Sequence, residues 1–189
     1  MTDLGFRLFE TPIGACGIVW GDRGVVGVQL PEASEPATRA RIRREFPGAH
    51  ESPAPPHVQR ALEGIVALLS GEAPDLSFIQ LDMRQVAPFN RRVYEVARTI
   101  PPGATLSYGE IAARIGEPGA ARDVGSVLGQ NPFAIVVPCH RVLAAGGKIG
   151  GFSARGGIRT KLRLLSIEGV QAPGTVPLFE RGAKIGAKF

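Results

Sequence analysis

The chain has 189 residues, of which 44% are hydrophobic and 21% charged, and its formal net charge is +5. This composition excludes an intrinsically disordered chain and predicts one domain or two small ones. The longest apolar run, residues 134–138, is too short to cross a bilayer, and the first residues lack the basic and apolar regions of a signal peptide. We therefore expect a cytoplasmic protein with no membrane partner and with reduced thiols, in which Cys16 and Cys139 provide no disulfide framework.

The positive charge is concentrated in the second half of the chain. Residues 1–80 hold seven Lys and Arg against ten Asp and Glu, a net charge of −3, whereas residues 81–189 hold fifteen against seven, a net charge of +8. A basic half attracts polyanions, of which nucleic acid is the common one in the cytosol, although nucleotides and acidic proteins also bind such surfaces. Charge alone therefore makes DNA plausible as a partner without selecting it.

The first 80 residues predict an N-terminal domain built on a small antiparallel sheet. Three short apolar runs alternate with glycine turns, at residues 6–9, 16–20 and 25–30. The break at 21–24 is typical of a hairpin. Residues 37–46 are Arg-rich and predicted to be helical, and apolar positions recur at helical spacing over 58–69. One further strand is predicted at 77–81.

The second domain, residues 88–170, is predicted to be mostly helical and to follow a linker at 81–87. Its predicted elements are a helix at 88–100, a pair of short helices at 107–116 and 120–129, a buried strand at 134–137 and a final helix over 162–167. Residues 171–189 form a tail with no clear periodicity. The predicted fold class is therefore α+β.

The pair of short helices predicts a helix-turn-helix motif. Ser107 and Glu110 form a capping box at the start of the first helix, and a glycine-containing turn separates it from the second. The second helix carries small residues, including Gly125 and Ser126, with Arg122 as its one long basic side chain. Small side chains let a helix approach a DNA groove closely, but the same pattern also fits packing against another helix.

Cys139 is the candidate nucleophile. A thiol needs activation, because a free cysteine is only a few per cent thiolate near neutral pH. His140 follows it directly, but adjacent side chains in an extended segment point to opposite sides, so a water-bridged relay with a carboxylate behind the imidazole is more reasonable than direct contact. Cys16, in an apolar strand, is interpreted as a core residue.

Five ordered motifs together resemble the O6-alkylguanine-DNA alkyltransferases, also called methylated-DNA–protein-cysteine methyltransferases. The motifs are Tyr108-Gly109-Glu110-Ile111-Ala112, Ala121-Arg122-Asp123-Val124-Gly125, Asn131-Pro132, Pro138-Cys139-His140-Arg141-Val142, and the glycine-rich loop that runs on to Lys161, Leu164-Leu165 and Glu168-Gly169. The resemblance covers about residues 86–170. It implies an N-terminal ribonuclease H-like domain and a C-terminal domain with a helix-turn-helix that binds the minor groove. No cofactor is expected, because the sequence has no P-loop, and it shows no clear cluster of metal ligands.

The resemblance implies an irreversible, one-turnover transfer of the alkyl group from O6-alkylguanine in double-stranded DNA to Cys139. His140 would take the thiol proton through a water, Glu168 would orient the imidazole, and Tyr108 would protonate the leaving guanine. Arg122 would fill the gap left by the flipped nucleotide, beside Gly125 and Ser126 of the recognition helix.

The remaining candidate residues line the substrate pocket or contact DNA. Asn131 would tie the active-site turn to the helix-turn-helix, and Val142 would accept a hydrogen bond from the guanine amino group. Ser153 and Gly157 lie in the loop that closes the pocket, and Arg141 is a predicted DNA contact.

The sequence departs from the family pattern at two places. Asp123 follows Arg122 where the family often has alanine, and residues 151–157 form a loop about two residues longer than usual, with Arg155 as a possible extra phosphate contact. The oligomeric state expected is a monomer.

Two other functions compete with alkyl transfer. A non-catalytic sensor of alkylated DNA would lack the acceptor cysteine, which is present here, and a cysteine hydrolase would leave the helix-turn-helix unexplained. His50 and His57 are interpreted as exposed loop residues rather than as metal ligands.

Overall fold

The computed structural model describes residues 4–171. Its larger sheet has the strand order β3-β2-β1-β4, built from β1 (Leu4–Phe9), β2 (Cys16–Gly21), β3 (Gly24–Gln29) and β4 (Ala49–Glu51). The β1, β2 and β3 strands are antiparallel, with Phe9 paired to Cys16, and β4 adds to β1 in parallel. The predicted hairpin at 21–24 is confirmed. Gly24 has φ of 128°, and a Cβ there would lie 2.4 Å from the Gln80 carbonyl oxygen, so the turn requires glycine.

Six α-helices occur within residues 4–171: α1 (Glu35–Glu45), α2 (Pro56–Leu69), α3 (Pro88–Arg98), α4 (Tyr108–Arg114), α5 (Ala121–Gly129) and α6 (Ile158–Ile167). The Ser107–Glu110 capping box is present, since the Glu110 amide donates to Ser107 Oγ and the Ser107 amide donates to Glu110 Oε2. A two-stranded parallel sheet joins β5 (Leu106–Ser107), directly before α4, to β6 (Val142–Leu143). This pairing places the start of α4 beside the segment that follows Cys139.

Two main apolar clusters stabilise the fold. One lies between the larger sheet and α2, and it includes Ile135 and Leu164 from the second half of the chain. The other lies among α3, α4 and α5 and includes Phe133 and Val142. The turn before Cys139 therefore packs into both clusters, which fixes its position.

Two predicted strands are not strands in the structure. Residues 77–81 make only an isolated bridge between Leu81 and Val25, and residues 134–137 form a tight turn in which Ile135 has φ of 72°. Residues 134–137 are largely buried, whereas only Ile79 of the 77–81 segment is buried. A short apolar run does not distinguish a strand from a turn. The α+β class is confirmed. The predicted tail lies outside the described residues apart from Gln171, and none of the described helices is long and apolar enough to span a membrane.

Candidate active site

Cys139 opens into a cavity of about 290 Å³, hereafter the active-site cavity. One wall is the turn that carries Asn131 and Pro132, and another is the loop segment Phe152, Ser153 and Ala154. The thiol is half-buried and begins a 3₁₀ turn that spans Cys139–Arg141. A cavity lined by a cysteine and by a loop segment suits a small ligand that must reach the sulfur.

Asn131 holds the turn that presents Cys139. Its Nδ2 donates to the Val137 carbonyl oxygen at 2.8 Å, and its Oδ1 accepts from the Phe133 amide at 2.9 Å. These bonds stabilise a backbone in which the β-branched Ile135 occupies the left-handed region, a conformation that costs energy and is concentrated at functional sites. Burial raises the pKa of the Cys139 thiol, and the polar Asn131 side chain opposes this shift with a smaller effect.

Behind the thiol, His140 and Glu168 form a buried pair. The distance from His140 Nε2 to Glu168 Oε1 is 2.8 Å, and the two side chains are 1% and 2% exposed. A carboxylate only accepts hydrogen bonds, so Nε2 carries the proton and Nδ1 is left with a free lone pair. Nδ1 is buried and has no hydrogen-bond partner within residues 4–171. The imidazole is therefore oriented to accept a proton at Nδ1.

Electrostatics keep this imidazole neutral and the carboxylate charged. Burial lowers the pKa of His140 below its ordinary value, although the hydrogen bond to Glu168 opposes the shift. Burial alone would raise the pKa of Glu168, but the hydrogen bonds from His140 and Arg141, with the charge of Arg141, outweigh it and lower that pKa to about 2. Arg141, which stays protonated, is the positive charge that balances the Glu168 carboxylate. A neutral His140 can act as a base near neutral pH.

The prediction that Arg141 contacts DNA is wrong in this structure. The guanidinium is buried: Nε and Nη2 each donate to a Glu168 oxygen at 2.8 Å, and Nη1 donates to the Ile100 carbonyl oxygen. The sequence could not show that Arg141 is structural, since the carboxylate that pairs with it lies 27 residues away. Arg141 instead fixes Glu168 behind His140.

Tyr108 and Lys161 lie together near Cys139. Tyr108 is the first residue of α4 and half-buried, and Lys161 Nζ lies 5.8 Å from its ring centroid. Lys161 is fully buried, and its Nζ donates to the Val142 carbonyl oxygen at 2.6 Å and to the Gly151 carbonyl oxygen at 3.4 Å. Burial lowers the pKa of Lys161 to about 8, while the nearby Cys139 opposes that shift.

Sequence reasoning assigned Lys161 no role. The one available signal was its spacing, because Lys161, Leu164 and Leu165 share the buried face of α6. The carbonyl of Val142, predicted to accept from a substrate amino group, thus already accepts from Lys161. A carbonyl oxygen has two lone pairs and can accept a second hydrogen bond.

The other predicted residues fall into two places. On α5, Arg122 and Ser126 are exposed and Gly125 is half-buried, where a Cβ would lie 3.8 Å from the Tyr108 ring. Ser153 lines the active-site cavity, whereas Gly157 ends the loop with φ of 53° and begins α6 as its N-cap. The face formed by α5 and the first residue of α4 therefore borders the site.

Three comparisons relate the chain to known proteins. Residues 88–170 match the family model described as 6-O-methylguanine DNA methyltransferase, DNA binding domain. The methylated-DNA–protein-cysteine methyltransferase of Mycobacterium tuberculosis is 37% identical over 175 residues, which cover 93% of this chain and 98% of that protein. The protein of the same name from Methanothermobacter thermautotrophicus is 36% identical over 163 residues, covering 86% of this chain and 84% of that one.

Solved structures show the same similarity. The crystal structure of Mycobacterium tuberculosis OGT in complex with DNA matches with a TM-score of 0.71 and 36% identity, covering 93% of this chain and 99% of that one. Identity at this level over nearly the whole of both chains shows shared descent and not only a shared fold. The chain therefore belongs to the methylated-DNA–protein-cysteine methyltransferase family.

Proposed function

We propose that the protein repairs DNA by moving the alkyl group of O6-alkylguanine onto Cys139 in a single, irreversible turnover. The observation that carries this proposal is the buried His140–Glu168 pair behind a cysteine that opens into a cavity. It supplies a base at Nδ1 and a fixed tautomer, which are what a thiol needs to become a nucleophile. The family membership of the chain supports the choice of substrate.

The proton of the thiol would leave through a water molecule. Cys139 and His140 are adjacent in a 3₁₀ turn, and their side chains diverge, so a water between Sγ and Nδ1 is the reasonable carrier. The thiolate sulfur then attacks the alkyl carbon, the new S–C bond forms as the C–O6 bond breaks, and the electron pair of that bond goes to the guanine. The thiol proton resides on His140.

The leaving guanine needs a proton, and we propose that Tyr108 gives it. Its hydroxyl lies close to Gly150 in the loop, where a Cβ would be 3.1 Å from the oxygen, so Tyr108 and the loop are in close contact. Burial raises the pKa of Tyr108, so the phenol stays protonated until charge develops on the guanine. The Lys161 ammonium, near both Tyr108 and Cys139, would stabilise the negative charge that passes from sulfur to guanine.

The α4–α5 pair would act as the helix-turn-helix that engages the minor groove. Arg122 is exposed on α5 and has no ion pair within residues 4–171, so it is free to enter the duplex and replace an extruded nucleotide. Gly125 and Ser126 leave little side-chain bulk on the same helix, which suits the narrow minor groove. Double-stranded DNA carrying O6-alkylguanine is the partner proposed.

The thioether formed on Cys139 is a poor leaving group, so we infer one turnover per molecule. The test is to mix the protein with excess duplex DNA that carries one O6-methylguanine and to count guanines restored per protein. Restoration that stops at one per protein, and is absent in Cys139→Ser, supports the proposal. Tight binding without restoration would identify a sensor instead, and continued turnover would exclude single-use chemistry.

A further inference from the structure

A second cavity, of about 410 Å³, lies next to the active-site cavity and is lined on one side by arginines. Arg155 comes from the loop, and Arg159 and Arg163 come from successive turns of α6. Ile13, Pro31 and Glu32 also line it. We call this the arginine cavity.

The charges in the arginine cavity do not balance. Arg159 and Arg163 are four residues apart on one helix, a spacing at which like charges repel. Arg163 donates to the Pro12 carbonyl oxygen at 2.7 Å, but the Arg155 and Arg159 side chains are exposed and have no bonding partner within residues 4–171. The wall thus carries at least two unpaired guanidinium groups.

The single carboxylate in the lining does not neutralise these arginines. Glu32 Oε1 lies 3.8 Å from Arg41 Nη1 on α1 and 3.5 Å from Gln29 Nε2 on β3. The Glu32 carboxylate therefore pairs with these groups and not with Arg155 or Arg159. The arginine cavity is therefore suited to an anion, and guanidinium groups bind phosphate oxygens with matching geometry.

The arginine cavity and the active-site cavity share two borders. Phe152, Ser153 and Ala154 line the active-site cavity, and the next residue, Arg155, lines the arginine cavity. Likewise, Gln29 and Leu30 line the active-site cavity, and the next two residues, Pro31 and Glu32, line the arginine cavity. A nucleic-acid strand whose nucleotide enters the active-site cavity would carry its neighbouring phosphates past this border.

We propose that Arg155 and Arg159 bind a backbone phosphate of the DNA strand that carries the alkylated nucleotide. This inference rests on the proposed function and deepens it, because it adds a contact outside α5 and assigns a role to the longer loop at 151–157. Arg163 fixes the far side of the cavity through Pro12. The Thr160 hydroxyl, which donates to the Arg155 carbonyl oxygen at 2.5 Å, holds the end of the loop in register with α6.

The test combines variants of the protein with variants of the DNA. Binding of a duplex with one O6-methylguanine is measured for wild type, for Arg155→Gln/Arg159→Gln, and for Arg7→Gln, an exposed arginine of β1, as the control. Each phosphate near the modified base is replaced in turn by a neutral methylphosphonate. Salt dependence is recorded from roughly 50 to 200 mM, where each lost phosphate contact reduces the slope of log K against log salt by about 0.9.

The proposal predicts one phosphate position at which the neutral linkage lowers the DNA affinity of wild type about threefold or more at low salt. The same linkage leaves the affinity of the double variant unchanged. The double variant also loses about 0.9 from the salt slope, as expected for one phosphate contact, whereas Arg7→Gln does not differ from wild type at that position. Equal weakening of wild type and double variant at every position would overturn the proposal. If no phosphate position behaves in this way and inorganic phosphate at constant ionic strength competes with DNA binding, the arginine cavity binds a free anion and the proposal is overturned.

Failure of the proposed function gives a different result. In that case wild type shows no preference for O6-methylguanine and restores no guanine, whatever the state of Arg155 and Arg159. If wild type restores guanine but no phosphate position distinguishes it from the double variant, only the proposed role of Arg155 and Arg159 is rejected.

Discussion

Replacement of Glu168 by Gln should reduce both the stability of the protein and the reactivity of Cys139. The carboxylate accepts from His140 Nε2 and from Arg141 Nε and Nη2, each at 2.8 Å. A Gln side chain of the same shape has one acceptor oxygen and one NH₂ donor. If the oxygen faces Arg141, the NH₂ faces Nε2 and forces the imidazole into the other tautomer, with its proton on Nδ1.

The expected loss of stability follows from the pKa of Glu168. A pKa of about 2 in place of the ordinary 4.5 corresponds to about 3 kcal/mol of stabilisation of the folded state. Removing one partner of a buried ion pair costs about 3 to 5 kcal/mol in comparable cases, because the remaining charge, here Arg141, is left uncompensated. We therefore expect Glu168→Gln to lower the free energy of unfolding by about 3 kcal/mol or more.

The sign of the pH dependence is fixed by the direction of this shift. The folded-state pKa of Glu168 is depressed, so its stabilisation is fully present above about 4.5 and is lost as the pH falls toward about 2. The difference in unfolding free energy between wild type and Glu168→Gln should therefore be largest near neutral pH and shrink in acid.

Denaturant unfolding and thiol alkylation by iodoacetamide measure the two effects. Loss of the base at Nδ1 should slow alkylation of Cys139 by about 100-fold or more at neutral pH. Glu72→Gln, at an exposed glutamate just after α2, is the matched control and should change neither. A Glu168→Gln protein with wild-type stability and an unchanged pH profile for alkylation would refute the account of the His140–Glu168 pair.

Three further predictions concern the groups around the thiol and the DNA face. Lys161→Met should shift the alkylation profile of Cys139 to higher pH, because the ammonium lowers the pKa of the thiol. It should also remove the rise in stability expected between about pH 8 and 10.5, where Lys161 has lost its proton in the folded state but not in the unfolded one. An unmoved alkylation profile would contradict a role for the Lys161 charge. Tyr108→Phe should slow methyl transfer by about 100-fold while leaving iodoacetamide alkylation unchanged, and equal slowing of both would point to a packing defect. Arg122→Ala should slow transfer from duplex DNA at least about tenfold, in contrast to Arg114→Ala on α4, and unchanged transfer would reject its role in base flipping.

Local signals in the sequence predicted most helix boundaries closely, although α6 begins at Ile158 and not at residue 162. The Ser107–Glu110 capping box and Pro88 at a helix start depend on neighbours within a few residues, so their physics is readable from the chain itself. The hairpin at 21–24 was predictable for the same reason. The strand β4 was missed because three residues pair in parallel with β1, a long-range contact without a local signature.

The candidate site was predictable only in part, because tertiary contacts define it. The motif around Cys139 indicated the thiol, its histidine and the distant Glu168. Burial of Arg141 depends on Glu168 and on the Ile100 carbonyl, which lie far away in sequence, and the run 134–137 turns because Asn131 holds it. A positive φ at Ile135 contradicts the local preference of a β-branched residue, so tertiary structure overrides propensity there.

Peptide-level mass spectrometry of the protein after reaction with duplex DNA that carries one O6-methylguanine tests the central claim most directly. Cys16 is an internal control, since it is fully buried and burial raises its pKa to about 12. The account predicts one methyl group, located on Cys139, with Cys16 unmodified and no second methyl group at any excess of DNA. A methyl group at another residue, or restored guanine in the DNA with Cys139 left unmodified, would contradict the account.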